Sequence, residues 1–142
     1  MIYFAKMNDK AILPSKRVED AGYDIYACCD DIAIATGETK LIPTGIASAF
    51  SDDYVAIIKE RSSLGKLGLG VRGGVIDSGY RGEWKIAMTN HSNQDIVIST
   101  KKAIVQCIFV EVPKIKVQEI EYNDLLKIKS ERGVGGFGSS GK

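Results

Sequence analysis

The sequence predicts an all-β chain of many short antiparallel strands, arranged as a sandwich, barrel or jelly roll. Three observations lead there. Isoleucine clearly outnumbers leucine, a bias toward strands. Apolar residues recur with period two or in short unbroken runs. Turn signals of the kind TGE, PTG, SDD, DSG and HSN separate those runs.

From the N-terminus, AGYDIYA at 21–27 reads as a short strand with Asp24 between aromatics. DIAIA at 31–35 alternates apolar and polar, and YVAIIK at 54–59 reads as a more fully buried strand. ERSSLGKLG at 60–68 is a polar loop. GGVIDSGYRGEWKI at 73–86 reads as a hairpin carrying Asp77 and Tyr80, with Gly79 in its turn. EWKIAMT at 83–89 and DIVIS at 95–99 alternate less cleanly, and AIVQCIFVEV at 103–112 is a long buried strand. The one helix candidate is YNDLLKIKS at 122–130, and helices below about 12 residues are marginal without packing.

The last eleven residues, RGVGGFGSSGK, hold five glycines and one aromatic, so they have little to pack with. The expected organisation is a β domain over 1–130 and a flexible Gly-rich C-terminal arm over 131–142. Extended, that arm spans up to about 36–40 Å, against a radius of gyration of ~14 Å for a domain of this length. It is long enough to reach beyond its own globule.

Composition excludes several classes of chemistry. The 142 residues fit one domain. The charges nearly cancel, 19 basic against 18 acidic, so no electrostatic case for nucleic acid or an anionic membrane can be made. One histidine and three cysteines without zinc-like spacing argue against a His-pair metal site and a disulfide scaffold. No run approaches the roughly 18 apolar residues of a membrane span, and MIYFAKMNDK lacks the order of a secretory signal. The expectation is a soluble, intracellular, cytoplasmic protein with reduced thiols.

From Gly136 the tail reads G-x-x-x-x-G-K. A P-loop needs a Ser or Thr after its Lys and a helix to follow, and neither is present. There is instead a glycine-rich strand with Arg132, an aromatic ring, Ser139 and Ser140. It would serve as a lid over a phosphorylated aromatic ligand, since glycines let backbone N–H groups approach phosphate closely. Arg61, Ser62, Ser63 and Lys66 form either an ordinary polar turn or a second phosphate contact. Asp77, beside Val75 and Ile76, is either a turn residue or a base that activates water. Tyr80 is either sheet packing or a flat wall for a sugar or base. Asp24, from its own segment, reads as structural, a carboxylate in need of a partner.

Together these segments resemble the trimeric dUTPases, the deoxyuridine triphosphate nucleotidohydrolases, over most of the chain and in the order of that family's five motifs. AGYDIYA is similar to the first, RSSLG to the second, GGVIDSGYRGE to the third, AIVQCI to the fourth and RGVGGFGSSGK to the fifth. The third and fifth are the specific ones. The resemblance implies a jelly-roll-like β-barrel subunit and a homotrimer with shared active sites. It implies Mg2+-dependent hydrolysis of dUTP to dUMP and pyrophosphate, by water attack on the α-phosphorus. That reaction limits uracil in DNA and supplies dUMP for thymidylate synthesis.

Carried onto this chain, the resemblance makes Asp77 the base that orients the attacking water. The backbone of Gly74, Val75 and Ile76 would bond uracil, and Tyr80 would lie on the deoxyribose and exclude a 2′-hydroxyl. Arg61, Ser62, Ser63 and Gln106 would contact the phosphates or organise that pocket, and Lys85 would border the substrate. Asp24 would hold a water of the magnesium. Phe137 would stack on uracil while Arg132, Gly138, Ser139 and Ser140 close over the triphosphate.

The chain departs from the family pattern at three points. Lys101, Lys102 and Ala103 stand where a Gly-Asp-Arg usually precedes the fourth motif. Ser63 replaces a usual glycine, and Val71 stands where some relatives carry a uracil-reading asparagine. Backbone recognition must then carry more of the base specificity.

Two rival readings are open to the sequence. The related dCTP deaminases share an Arg-Ser-Ser loop but generally have a longer chain with a catalytic glutamate segment. A non-catalytic nucleotide-binding protein would have no need of a water-aligning carboxylate.

Overall fold

The structure is a computed structural model, and it describes residues 1–99 and 102–136. Eleven strands succeed one another: β1 (Tyr3–Lys6), β2 (Tyr23–Tyr26), β3 (Ile32–Ile34), β4 (Thr39–Pro43), β5 (Ile46–Ala49), β6 (Tyr54–Glu60), β7 (Leu69–Arg72), β8 (Val75–Ile76), β9 (Lys85–Asn90), β10 (Ile96–Ile98) and β11 (Ala103–Glu111). Single helical turns, α1 (Ser62–Gly65) and α2 (Tyr122–Leu125), come after β6 and β11. A four-stranded sheet runs β2-β11-β6-β8 and a three-stranded sheet β4-β9-β7, with the pairs β1-β5 and β10-β3 beside them. Every pairing between these strands is antiparallel. This is the all-β fold that the alternation and turn spacing predict, in the jelly-roll-like form that the resemblance implies.

The period-two segments bury one face as expected. In β10 Ile96 and Ile98 are buried while Val97 is exposed, and in β9 Ile86 and Met88 point inward. The core also takes in Ile25, Ile34, Ile42, Ile46 and Trp84. Fully burying one such side chain contributes about 1.5–3 kcal/mol. Phe109 meets Phe4, Tyr23 and Phe50 edge-on at centroid distances of 5.1–6.4 Å. Buried side-chain N and O atoms are all partnered among the described residues. The Trp84 indole donates to Ser48 Oγ at 3.1 Å, and the Asn90 amide donates to the Ile34 and Gln94 carbonyls at 2.8 Å.

Two local expectations change. GGVIDSGYRGEWKI is not a hairpin. Asp77 to Tyr80 do form a tight turn, with the Tyr80 N–H on the Asp77 carbonyl at 3.0 Å. But β8 pairs with β6, while β9 is held between β4 and β7, so the loop over 77–84 crosses from one sheet to the other. Burial of Trp84 anchors its end. The helix candidate at 122–130 shortens to the single turn α2, none of whose residues is buried.

Residues 112–134 are exposed throughout. Their start is tied to the globule: the Val112 N–H donates to the Asp53 carbonyl at 2.8 Å, and Lys114 Nζ lies 3.1 and 2.9 Å from Asp52 and Asp53. Beyond that, Ile115, Val117, Tyr122, Leu125, Leu126 and Ile128 lie bare. All three thiols are free: Cys107 is buried, Cys28 and Cys29 half-buried. Among the described residues no helix is long and apolar enough to cross a membrane.

Candidate active site

The first cluster grows from the β2-β11-β6 side of the four-stranded sheet. Asp24 on β2 and Gln106 on β11 are cross-strand partners, so their side chains leave the same face. Arg61 comes directly after β6 and folds back over them. Its Nε lies 3.0 Å from Asp24 Oδ1, and Nη1 donates to the Ala103 carbonyl at 3.2 Å. Gln106 Nε2 donates to the Glu60 carbonyl at 3.0 Å. The register of β11 against β2 shifts between Ala103 and Val105, a bulge of the kind that re-aims side chains beside sites. Gly22 leaves room for the Gln106 side chain, whose amide oxygen a Cβ there would meet.

Asp24, Arg61, Gln106, Ser62 and Ser63 together line a cavity of ≈ 720 Å³. Ser15, Lys16, Arg17 and Asp20 complete its wall. That loop is pinned where the Asp24 N–H donates to the Ser15 carbonyl at 2.8 Å. Asp24 and Arg61 are each 35% exposed, so water screens the pair and it adds only ~0–1 kcal/mol to stability. Its value is geometric: it holds a planar guanidinium, with donors to spare, at the mouth of a hydroxyl-lined pocket. Such a fork suits phosphate oxygens.

The second cluster lies around β8 and the crossing loop. Val75, Ile76, Asp77, Tyr80, Glu83 and Lys85 line a smaller cavity of ≈ 200 Å³. Asp77 is exposed. The Tyr80 hydroxyl donates to the Glu83 carbonyl at 3.0 Å, and the residue stays 45% exposed. Glu83 Oε1 accepts the Gly45 N–H at 2.9 Å, and Oε2 lies 3.8 Å from Lys85 Nζ. At the entrance to β8, Gly74 adopts φ +88°, and its carbonyl accepts the Ile58 N–H at 2.7 Å.

The two clusters share no residue, and the strand register explains why. Ile76 pairs with Ala56 antiparallel, so Asp77 continues toward Val55 while Arg61 leaves the opposite end of β6. Val55 to Arg61 is six steps of about 3.3 Å, or ~20 Å along the strand. Arg132 lines neither cavity; its Nε donates to the Gly135 carbonyl at 2.8 Å. Phe137, Gly138, Ser139 and Ser140 lie outside the described residues.

Among the described residues no group of three or more His, Cys, Asp or Glu could hold a metal by itself. The donor set offers only two carboxylates in the wall of the larger cavity, Asp24 and Asp20, the latter engaged by Arg17. That fits a hard cation that keeps its waters and takes most of its ligands from a bound polyphosphate. It does not fit a dedicated protein cage.

The sequence reading missed Lys16, Arg17 and Asp20 in the wall of the larger cavity, and Glu83 in the smaller one. Loop residues that enter a site by chain path alone leave no spacing signal. The pattern that could have flagged Glu83 is its place next to Arg81 and Gly82 in the crossing loop.

Comparison with known proteins bears on this arrangement. The sequence profile of the dUTPase family matches residues 8–141. The deoxyuridine 5′-triphosphate nucleotidohydrolase of Nautilia profundicola is 38% identical over 141 residues, covering 96% of each chain. That of Clostridioides difficile is 40% identical over 141 residues, covering 96% of this chain and 94% of the relative. Among solved structures, the Staphylococcus bacteriophage 80alpha dUTPase with dUPNHPP superposes with a TM-score of 0.88 at 23% identity. That superposition spans 100% of this chain and 99% of the other, which shows a common fold.

Proposed function

The chain belongs to the dUTPase family, and from that membership we infer its reaction, the hydrolysis of dUTP to dUMP and pyrophosphate by a dUTP diphosphatase. The observation that carries this reading to individual residues is the division of the motif residues between two cavities. One has the chemistry for phosphates, with Arg61, Ser62, Ser63 and Gln106. The other has the chemistry for a nucleoside and a water, with Val75, Ile76, Tyr80 and Asp77.

In the mechanism, Asp77 accepts a proton from the attacking water as it closes on the α-phosphorus, and pyrophosphate leaves. Displacement of this kind depends mainly on positioning and charge stabilisation. Arg61 would bond phosphate oxygens through the N–H groups that Asp24 and Ala103 leave free. Ser62 and Ser63 add hydroxyl donors. Mg2+, when bound, would neutralise phosphate charge and hold the triphosphate in one conformation, with Asp24 reaching one of its waters. Uracil would be read by the backbone at 74–76, Tyr80 would exclude a 2′-hydroxyl, and Lys85 would sit at the border of the nucleoside. A base edge left unpaired in such a slot is rejected by roughly 10⁴–10⁵.

The separation of Asp77 from Arg61 supports a shared site. One triphosphate held close to both requires the second cluster of one copy to face the first cluster of another, as in a homotrimer. The exposed apolar residues of 112–134 fit an arm that lies on a neighbouring copy. Arg132, Phe137, Gly138, Ser139 and Ser140 would then close over a site to which other copies contribute. In this reading the β domain and the closing arm, divided near residue 131, belong to different working units.

The test is product analysis with dUTP, UTP, dTTP and dCTP in the presence of Mg2+. Pyrophosphate and dUMP should appear from dUTP in strong preference to the others. Ammonia from dCTP would mark a deaminase instead, and tight dUTP binding with no product would mark a binding protein.

A further inference from the structure

Glu60 ends β6 and directly precedes Arg61, so its backbone belongs to the phosphate cluster. Its carbonyl accepts the Gln106 amide at 3.0 Å. Its side chain points elsewhere. Oε1 accepts the Val71 N–H at 2.8 Å, across eleven residues of chain. Val71 lies in β7, the edge strand of the three-stranded sheet, whose other side pairs with β9. The Val71 amide would otherwise be an unpaired edge donor. A single carboxylate therefore ties the edge of one sheet to the end of a strand in the other.

The tie sits just ahead of a pair of glycines. Gly73 and Gly74 have φ of +70° and +88°, and this left-handed pair lets the chain leave β7 and join β6 as β8 within two residues. Glycines with positive φ are also the freest part of a backbone. Val71 packs beside Gly74: a Cβ built there would meet the Ile58 carbonyl at 3.1 Å and Val71 Cγ1 at 3.2 Å. Gly74 then begins the 74–76 stretch whose backbone would face the nucleoside in the proposed reaction. Glu60 fixes Val71, Val71 backs Gly74, and Gly74 sets the base-reading amides.

Resting on the proposed reaction, we infer that Glu60 is a positioning residue for base recognition, coupling the phosphate cluster to the uracil-reading backbone through the Val71 amide. The Val71 amide, ahead of the smaller contribution of Lys59, holds the Glu60 carboxyl below the usual carboxylate range, as a carboxylate engaged as an acceptor requires. Slots that read a base by hydrogen bonds need their groups held within about 0.5 Å, and neighbouring contacts supply that.

The experiment compares Glu60→Ala and Glu60→Gln with wild type in the full chain. It measures kcat and KM for dUTP and dCTP, and amide exchange at Val71. In Glu60→Ala, KM for dUTP should rise and the dUTP/dCTP ratio of kcat/KM should fall by about tenfold, the loss of roughly one hydrogen bond to a charged group. The Val71 amide should exchange faster. Glu60→Gln keeps an acceptor oxygen and should restore most of the ratio. An unchanged ratio in Glu60→Ala, an equal loss for both substrates, or a Glu60→Gln as impaired as Glu60→Ala would overturn the inference. If wild type does not hydrolyse dUTP, the proposed function fails. Exchange at Val71 then still decides the tether, and unaltered exchange in Glu60→Ala overturns it.

Discussion

Arg61 Nε lies 3.0 Å from Asp24 Oδ1, and the same guanidinium donates from Nη1 to the carbonyl of Ala103 at 3.2 Å. The second contact bears on the departure at Lys101, Lys102 and Ala103. The Arg61 side chain takes a backbone oxygen from this segment, and a backbone oxygen is indifferent to the residue that carries it.

Replacing Arg61 with Ala should therefore cost catalysis far more than stability. Charge-assisted contacts of ~1.5–3 kcal/mol to phosphate would be lost, so kcat/KM for dUTP should fall about 10–150-fold. The exposed ion pair adds only ~0–1 kcal/mol to folding, so the melting temperature should shift by only a few degrees. Steady-state kinetics beside a thermal melt separates the two. A large melting shift with unchanged kinetics would make Arg61 structural.

Tyr80 should act by its ring and not its hydroxyl. Tyr80→Ala should raise hydrolysis of UTP relative to dUTP, because the wall against a 2′-hydroxyl is gone. Tyr80→Phe should keep the preference even though the bond to the Glu83 carbonyl is lost. Competition between the two nucleotides measures it. If Tyr80→Ala discriminates like wild type, Tyr80 is not the gate.

Two truncations dissect the arm. Ending the chain after Ser130 should leave a folded trimer with greatly reduced hydrolysis, since the closing glycine-rich residues are removed. Ending it after Lys114 should also remove Ile115, Val117, Tyr122, Leu125, Leu126 and Ile128, all exposed on their own subunit, and should shift the molecule toward monomer. Light scattering and pyrophosphate release track both. Full activity after the first truncation would make the tail no more than a frayed terminus.

Burial pushes the Cys107 thiol up to about 12, so it should resist a thiol reagent until the chain is unfolded. Above the ordinary thiol value of 9.0 the unfolded chain loses a proton that the folded chain retains, so stability should fall as pH rises through that window. Denaturation midpoints across alkaline pH, compared with Cys107→Ser, would detect it. Rapid labelling of Cys107 in the native protein would contradict it.

Much of the fold was legible because period-two burial writes itself into sequence. β3, β6, β9, β10 and β11 lie where the alternation or the apolar runs predicted. β5 was not, since IASA alternates with small residues that carry little hydrophobic contrast. β4 ends in Pro43, which argues locally against a strand. The crossing loop has the sequence of a hairpin because Asp-Ser-Gly-Tyr is a good turn, and a good turn does not say which strands its flanks join. In the site, motif residues were legible by resemblance, and their partners were not. Glu60 meets a backbone amide, and a backbone amide has no letter in the sequence.

The central claim, that Asp77 drives hydrolysis of dUTP, is tested most directly by pyrophosphate release from wild type and Asp77→Asn, alongside dUTP binding by equilibrium dialysis. Wild type should release pyrophosphate robustly. In Asp77→Asn turnover should be lower by about 10²–10⁴, the usual contribution of a positioned base, with dUTP still bound. Near-normal turnover in Asp77→Asn would contradict it.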